Sequence, residues 1–223
     1  MLEAVIFDMD GVITDTVPLH FKAWKKMFEK YGYYFDFKIY KEKVDGKPRM
    51  KGISSVAINA DEEILTTMSE EKQNYFLEYV EKNPPEIFTD TWNFIKELKN
   101  NKIKIAVASS SKNTKKILDS LGIYNIFDTV VTGYDFVNGK PNPEIFLIAA
   151  NRLNVSPENC IVIEDAIEGI NAGINAKMFT IGVARHNNYN ELSHANLVVK
   201  SLNEINLDIL TDIFRRRKND PIR

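Results

Sequence analysis

Short apolar runs that alternate with helical patterns constrain the fold of this chain more than any other feature. From Phe88 onward the apolar runs lie at Ile103–Ala108, Thr129–Thr132, Cys160–Ile163 and Met178–Gly182. The helical patterns between and around them lie at Thr91–Asn100, Thr114–Ser120, Pro143–Leu153 and Ala166–Asn175. This alternation is typical of a parallel sheet covered by helices on both faces. A similar run at Ala4–Phe7 belongs with the same sheet.

A long segment of helical pattern separates the first apolar run from this alternation. It begins with a helix near Val17, contains a clear helical pattern at Ser69–Lys82, and is closed by Pro84-Pro85, which reads as a hinge. We therefore predict an α/β protein with a Rossmann-like parallel-sheet core and an inserted helical cap domain. Residues 1–15 and 87–223 form the predicted core, and residues 16–86 form the predicted cap. We expect the cap over the carboxyl end of the sheet, where open α/β sheets bind ligands.

Composition limits the partners and the compartment. The 223 residues are 44% hydrophobic and 27% charged, which is ordinary for a globular protein, and the net charge of −2 argues against nucleic-acid binding. No apolar run reaches the length of a membrane span, and the first one is cut by Asp8 and Asp10, so we expect neither a membrane segment nor a secretory signal. The single cysteine, Cys160, fits a reducing cytoplasm and reads as a buried, inert thiol. We expect a monomer that binds a small molecule.

Two aspartates follow the first apolar run directly. Alternate residues of a strand share a face, so Asp8 and Asp10 are expected to point into the same space at the strand end. Converging carboxylates suit Mg²⁺, and an aspartate can also act as a nucleophile toward phosphorus. The alternative is an ordinary acidic loop after a buried strand.

Chemically useful side chains also follow the later runs. Ser109 to Asn113 open a helix, where hydroxyl and backbone N–H groups suit a phosphate, although simple helix capping explains them equally well. Lys140 precedes a proline and could offer a fixed positive charge, or it could be a surface lysine in a turn. Glu164 and Asp165 form a second acidic pair at a strand end, which could complete a Mg²⁺ site.

Taken in order, these motifs resemble the haloacid dehalogenase superfamily over essentially the whole chain. The order is Asp-x-Asp-Gly-Val, a strand ending in serine, Lys-Pro, and Glu-Asp. Within the superfamily the details look most like the β-phosphoglucomutase-like subfamily of sugar-phosphate mutases and phosphatases, which carries a helical cap after the first motif. The stretches that support this are Asp8–Thr16, His20–Trp24, Ala108–Asn113 and Lys140–Phe146.

The resemblance implies a role for each polar residue at the strand ends. Asp8 would be the nucleophile that takes the phosphoryl group, and Asp10 the general acid and base. Ser109 and Lys140 would bind the oxygens of the transferring phosphoryl group.

The same resemblance implies a metal site and a second phosphate site. Mg²⁺ would be held by the Asp8 carboxylate, the Asp10 backbone carbonyl and Asp165, with Glu164 either a further ligand or a carboxylate behind the ligands. The positions that would serve a second, non-transferring phosphate are Ser111, Lys112 and Asn113.

Within the predicted cap, Thr16, His20 and Trp24 recur every fourth residue and so share one helix face. This stripe could be core packing, whereas the resemblance assigns it to substrate binding. Three more cap positions match the family's substrate-binding residues, and they are Gly46, Arg49 and Lys72.

The segment Val44–Gly52 departs from the mutase pattern. It has Gly52 where the mutases have serine, and Lys47-Pro48 is foreign to them, so this segment looks more like the sugar-phosphate phosphatases. The expected function is Mg²⁺-dependent phosphoryl transfer on small sugar phosphates through a phosphoaspartate. The leading candidate activity is that of a β-phosphoglucomutase, which converts β-glucose 1-phosphate to glucose 6-phosphate. The alternatives are a sugar-phosphate phosphatase and a catalytically degenerate binding protein.

Overall fold

The computed structural model describes residues 1–185 and 187–219 and contains a parallel six-stranded sheet. The strands are β1 Ala4–Phe7, β2 Lys104–Ala108, β3 Thr129–Val131, β4 Cys160–Glu164, β5 Phe179–Val183 and β6 Leu197–Val199. The α-helices are α1 Val17–Lys30, α2 Phe37–Ile39, α3 Arg49–Val56, α4 Glu62–Lys82, α5 Thr89–Asn100, α6 Thr114–Ser120, α7 Glu144–Leu153, α8 Ile167–Asn175 and α9 Leu207–Asn219. Tyr40–Val44 forms a π-helical turn, and 3₁₀ turns lie at Tyr124–Ile126, Pro157–Asn159 and Leu202–Glu204.

Both faces of the sheet are buried, which explains why its strands are continuously apolar. The four residues of β1 are buried, and adjacent ones face opposite layers. Phe7 packs edge-on against Phe94 of α5, with ring centroids 6.3 Å apart. Ile6 belongs to the cluster on the other face, together with Phe146 of α7. The predicted α/β fold class is therefore confirmed.

The order of the strands places the chemically useful residues together. The order is β3-β2-β1-β4-β5-β6, so the direction of winding reverses between β1 and β4. Ligands of open α/β sheets bind outside the carboxyl ends of the strands at such a reversal. Asp8 directly follows β1, and Glu164 is the last residue of β4.

The chain divides into two compact units. One contains residues 1–15 and 86–223, and the other, which we call the helical insert, contains residues 16–85. The return to the first unit thus falls one residue earlier than the sequence pattern placed it. Inside the insert, α1 packs against α4 around an aromatic core, whose buried members include Trp24, Phe28, Phe35 and Met68.

Several elements differ from the sequence prediction. Helix α4 contains the clear helical pattern at Ser69–Lys82 and extends it back to Glu62, because Asp61 caps the helix by accepting the N–H of Ile64 at 2.8 Å. The edge strand β6 and the helix α9 were not predicted. Strand β6 has three residues, and no helix stands between it and β5 in the described residues, so it lies outside the alternation that revealed the equally short β3.

Two remaining observations concern the cysteine and the membrane. Cys160 lies buried in β4, and burial raises the pKa of its thiol to about 12, so this thiol is not a ready nucleophile. Within residues 1–185 and 187–219, no helix is both long enough and apolar enough to cross a bilayer.

Candidate active site

Asp8 and Asp10 leave β1 in a tightly hydrogen-bonded loop. The N–H of Asp8 donates to the carbonyl of Ile163 in β4 at 2.9 Å, which ties the ends of the two central strands together. Gly11 has a φ of +77°, and a methyl group on its Cα would overlap the carboxylate of Asp165. The motif therefore needs glycine after Asp10, both for the backbone angle and for this close approach.

Lys140 joins the first motif to the second acidic pair. Its Nζ forms ion pairs with Asp8 Oδ1 and with Glu164 Oε1, and it lies 5.1 Å from the centre of the Phe146 ring. Burial acts to lower the pKa of Lys140, but the charges of Asp8 and Glu164 outweigh burial and raise it. Lys140 is thus a fixed cation, and its bond to Pro141 is cis.

Glu164 and Asp165 bring more negative charge than Lys140 balances. Oε2 of Glu164 accepts the N–H groups of Asp165 at 3.0 Å and of Ala166 at 3.2 Å. Burial, opposed by Lys140 and assisted by Asp8, raises the pKa of Glu164 to about 7. Burial, together with the charges of Glu164 and Asp8, raises the pKa of Asp165 to about 8. Both shifts have burial as their main cause and the mutual repulsion of the carboxylates as a further one.

The three carboxylates have the chemistry and spacing of a divalent metal site. Asp8, Glu164 and Asp165 each offer an oxygen, and these oxygens lie within 4.8 Å of one another. Mg²⁺ prefers such hard oxygen ligands, and a divalent cation would relieve the repulsion that raises the two pKa values. The residues present therefore fit the predicted ion.

Serine side chains lie at the end of the neighbouring strand β2. Ser109 is buried, and its hydroxyl oxygen accepts the N–H of Ser111 at 3.1 Å. The hydroxyl of Ser111 in turn accepts the N–H of Asn113 at 3.1 Å. Each hydroxyl therefore organises the turn before α6 while its own proton stays available for donation. Lys112 has its Nζ 5.2 Å from the centre of the Tyr134 ring.

A second group of predicted residues meets inside the helical insert. Lys72, only 4% exposed, donates from Nζ to Nδ1 of His20 at 2.8 Å and lies 4.9 Å from the centre of the Trp24 ring. The imidazole of His20 stacks on Phe76 at 4.0 Å. Burial, and after it the charge of Arg49, lowers the pKa of Lys72 to about 7. Burial and the charges of Lys72 and Arg49 hold the pKa of His20 well below its usual value.

The other predicted residues of the insert occupy different settings. Arg49 donates from Nη1 to the carbonyl of Ser69 at 2.9 Å, which aligns α3 with α4. Thr16 is buried at the start of α1, and Trp24 is part of the aromatic core. Gly46 has a φ of +70° in the turn before α3, with open space around its Cα.

The structure thus brings the predicted residues into two clusters, one in each unit. The first contains Asp8, Lys140, Glu164 and Asp165, and the second contains His20, Lys72 and Trp24. Sequence reasoning missed Arg185, whose Nε donates to the carbonyl of Gly11 at 3.0 Å. An arginine directly after an apolar strand is the available signal, but nothing in the sequence names its partners.

Comparison with known proteins identifies the family of this chain and some of its relatives. Residues 2–177 match the model of the haloacid dehalogenase-like hydrolase family. The β-phosphoglucomutase of Bacillus subtilis is 37% identical over 216 residues, which cover 94% of each chain. The phosphorylated carbohydrates phosphatase of Thermotoga maritima is 35% identical over 182 residues, which cover 78% of this chain and 82% of the relative.

A solved structure extends the similarity to three dimensions. The β-phosphoglucomutase of Clostridium difficile superposes with a TM-score of 0.82 at 39% identity, covering 97% of this chain and 98% of that one. Mutases and phosphatases thus both stand among the relatives, and both are enzymes. The chain is an enzyme that belongs to the haloacid dehalogenase-like hydrolase family.

Proposed function

We propose that this enzyme transfers phosphoryl groups of small sugar phosphates through a phosphoaspartate on Asp8, with Mg²⁺ as its cofactor and β-phosphoglucomutase as its activity. The observation that carries the proposal is the position of Lys140, whose Nζ contacts both Asp8 and Glu164 in a cluster of buried carboxylates. Phosphoryl transfer asks a protein mainly for positioning and for neutralisation of charge. The similarity to mutases over almost the full chain supports the same activity.

In the first half of the reaction, a carboxylate oxygen of Asp8 attacks phosphorus while the bond from phosphorus to the sugar oxygen breaks. Asp10 gives its proton to the departing sugar oxygen, an acid role worth about 10²–10⁴-fold in rate. Lys140 stays protonated and binds phosphoryl oxygens, and the hydroxyl of Ser109 donates to another. The residues that would hold Mg²⁺ are Asp8, Asp165 and the Asp10 carbonyl, with Glu164 beside them. The ion would supply further positive charge to the phosphoryl oxygens.

In the second half, the acceptor decides between mutase and phosphatase. Asp10, now a carboxylate, removes the proton of the acceptor as its oxygen attacks phosphorus and the bond to Asp8 breaks. A sugar hydroxyl as acceptor gives the mutase, and water gives the phosphatase. The residues of the core are the same for both outcomes.

The cationic cluster of the insert favours a substrate with a second anionic group. Lys72 is buried beside the half-buried His20, and the lowered pKa values of both groups indicate that positive charge is unfavourable there. A phosphate would offset that cost, and the guanidinium of Arg49 can bind a phosphate with two hydrogen bonds. A mutase cycle passes through a sugar bisphosphate, so this cluster fits it.

One observation favours a phosphatase as the second candidate. At Gly52, where the mutases have serine, a Cβ atom would lie 3.3 Å from Val44 Cγ1 and 3.4 Å from the Trp24 ring. This part of the insert is packed for glycine and differs from the mutase pattern. The similarity to a phosphatase of phosphorylated carbohydrates points the same way.

A single assay distinguishes the two. The enzyme is incubated with Mg²⁺, β-glucose 1-phosphate and a trace of β-glucose 1,6-bisphosphate, which can load Asp8, and glucose 6-phosphate and free phosphate are followed together. Formation of glucose 6-phosphate without matching phosphate release supports the mutase. Phosphate release from many sugar phosphates supports the phosphatase instead.

Asp8→Asn is the control for both activities. Either enzyme should lose turnover and the phosphoprotein signal with this substitution. A catalytically degenerate binding protein would show no turnover before the substitution, and its affinity for sugar phosphates would survive it.

For the cellular setting, we expect a monomer in the cytoplasm.

A further inference from the structure

Arg185 reaches from the end of β5 to the loop that carries Asp10. In the sheet, β5 is separated from β1 by β4, so the side chain spans the end of an intervening strand. Its Nε donates to the carbonyl of Gly11 at 3.0 Å, and its Nη2 donates to the carbonyl of Val12 at 3.3 Å. The Gly11–Val12 and Val12–Ile13 peptide groups, which are the second and third after Asp10, are thus held by one rigid guanidinium.

Asp90 fixes this guanidinium in a two-pronged ion pair. Nη1 donates to Asp90 Oδ2 and Nη2 to Asp90 Oδ1, each at 3.0 Å. The hydroxyl of Ser201 and the N–H of Leu202 also donate to Asp90 Oδ2, at 2.7 and 2.8 Å. Burial acts to raise the pKa of Asp90, but these bonds and Arg185 lower it to about 2, so the pair remains ionised. Asp90 is thus held in place by several hydrogen bonds and fixes the position of the Arg185 guanidinium.

The remaining faces of the guanidinium are also occupied. Nη2 donates to the hydroxyl of Thr91 at 2.8 Å, and that hydroxyl donates to the carbonyl of Val12 at 2.7 Å. The ring of Phe88 lies 3.9 Å from the guanidinium carbon. A planar fork with this many bonds is specific to arginine, because the ammonium of lysine is a point charge that cannot form them together.

The hydrogen bonds from Arg185 hold the part of the loop in which Gly11 has little conformational freedom. Gly11 adopts its positive φ directly after Asp10 and packs against the carboxylate of Asp165. A change in the backbone angles of Gly11 would alter the direction of Asp10 relative to the rest of the loop and disturb the packing against Asp165. Holding the carbonyls of Gly11 and Val12 therefore restrains the segment of loop that sets the direction of Asp10.

We propose that Arg185, anchored by Asp90, is a positioning residue that holds the loop after β1 so that Asp10 can pass its proton to the leaving oxygen. The inference rests on the proposed function of Asp10 and goes beyond it. Arg185 itself contacts the loop, Asp90, Thr91 and Phe88, and it acts on the reaction through Asp10. In the first half of the reaction, a misplaced acid should matter only where the leaving group needs a proton.

The test compares two leaving groups in the same folded protein. With a sugar phosphate the leaving alkoxide is strongly basic and needs the proton of Asp10, whereas p-nitrophenolate leaves without one at neutral pH. We expect Arg185→Lys to slow the phosphorylation of Asp8 by the sugar phosphate, measured in a single turnover, by about 10- to 100-fold. The burst of p-nitrophenolate from p-nitrophenyl phosphate, which reports the same half of the reaction, should slow by less than about 3-fold. Asp90→Asn, which keeps the shape of the anchor, should show the same pattern more weakly.

Arg152→Lys is the matched control. Arg152 also donates to a backbone carbonyl, that of Val130 at 3.0 Å, and pairs with Asp135, but it lies on the surface away from the loop. We expect its kinetics to match those of the unaltered enzyme with both substrates. Thermal unfolding of each variant shows that the kinetics are those of folded protein, and Asp90→Asn provides the test if Arg185→Lys fails to fold.

Equal losses for both substrates, or no loss for either, would overturn the positioning role, because a purely structural defect lowers the active fraction without regard to the leaving group. Asp10→Asn separates this failure from failure of the proposed function. If the unaltered enzyme is active and Asp10→Asn discriminates between the leaving groups while the Arg185 and Asp90 variants do not, only the inference fails. If the unaltered enzyme neither converts the sugar phosphate nor forms a phosphoprotein with either substrate, the proposed function fails.

Discussion

Lys140 brings a positive charge into a group of buried carboxylates, and much of the site's electrostatics depends on it. It pairs with Asp8 and Glu164, and its own pKa is raised by them. A cation fixed in this way needs no rearrangement when negative charge develops on a transferring phosphoryl group, which is the condition under which electrostatic stabilisation contributes most.

Replacing Lys140 by methionine should separate catalysis from metal binding. We expect Lys140→Met to lower kcat by about 100-fold or more, because a preorganised charge at the phosphoryl oxygens is lost. The carboxylates left behind repel one another more strongly, so Mg²⁺ should raise the melting temperature of the variant by more than that of the unaltered enzyme.

Steady-state kinetics and thermal unfolding with and without Mg²⁺ check both parts of this prediction. Lys116→Met, at an exposed position of α6, is the control. A loss of activity no larger than that of the control would remove Lys140 from the phosphoryl site.

Individual residues of the site were predictable to different degrees. Asp8, Glu164 and Asp165 follow apolar runs directly, and parallel strands bring their carboxyl ends to one edge, so their meeting follows from the sequence pattern and the resemblance together. Arg185 was not predictable, because its partners Gly11 and Asp90 lie far away in the sequence and only the folded sheet brings them to it. No local pattern records such a network.

Among the elements, the loop after β1 is the one whose geometry the site most depends on. It begins at Asp8, contains the positive φ of Gly11, and is hydrogen-bonded from the N–H of Gly11 to the carbonyl of Thr14 at 2.8 Å. The element prediction was good at the central strands and missed the three-residue edge strand β6, although it found β3, the equally short strand at the other edge. Strand β3 lies between two helical patterns, whereas the described residues between β5 and β6 contain no helix, so the alternation that identified the other strands is missing there.

Alanine at Gly11 should cost more than the backbone angle alone explains. Gly122 has a similar φ of +70° with open space around its Cα, whereas at Gly11 the added methyl group would overlap Asp165. We expect Gly122→Ala to lower the free energy of unfolding by about 1 kcal/mol and to leave activity intact. Gly11→Ala should lower the free energy of unfolding by at least as much. It should also displace Asp165, so we expect weaker Mg²⁺ binding and slower turnover.

Urea unfolding and Mg²⁺ titration of the two variants give the comparison. Similar stability with unchanged Mg²⁺ affinity in both would show that the loop tolerates a side chain at Gly11. The metal cluster would then not depend on this close approach.

At the scale of the whole molecule, the chain combines a sheet whose strand ends carry a lysine and three carboxylates with an insert that buries a lysine of its own. Fold class and family were predictable because motif order and strand order agree. The choice between mutase and phosphatase was not, because both reactions use the same core residues.

The buried Lys72 makes the contribution of the insert measurable through pH. Its pKa is about 7 in the folded protein against an ordinary 10.5, so between these values the unfolded chain binds a proton that the folded one lacks, and stability rises with pH. Below pH 7 both states are protonated and the full cost of burying the charge applies. We therefore expect Lys72→Met to raise the free energy of unfolding on the order of 2 kcal/mol at pH 7, with the gain shrinking toward pH 10.

The same substitution should weaken binding of sugar bisphosphates, since the cation that offsets the second phosphate is gone. Unfolding is followed by the fluorescence of Trp24, which lies beside Lys72, in a Trp92→Phe background that removes the tryptophan of the other unit. Lys51→Met, at an exposed position of α3, should change neither stability nor KM.

A Lys72→Met variant that is less stable than the unaltered protein at pH 7, or whose gain in stability is independent of pH, would contradict a costly buried charge. Greater stability with unchanged KM for bisphosphates would instead leave Lys72 a buried cation without a substrate role.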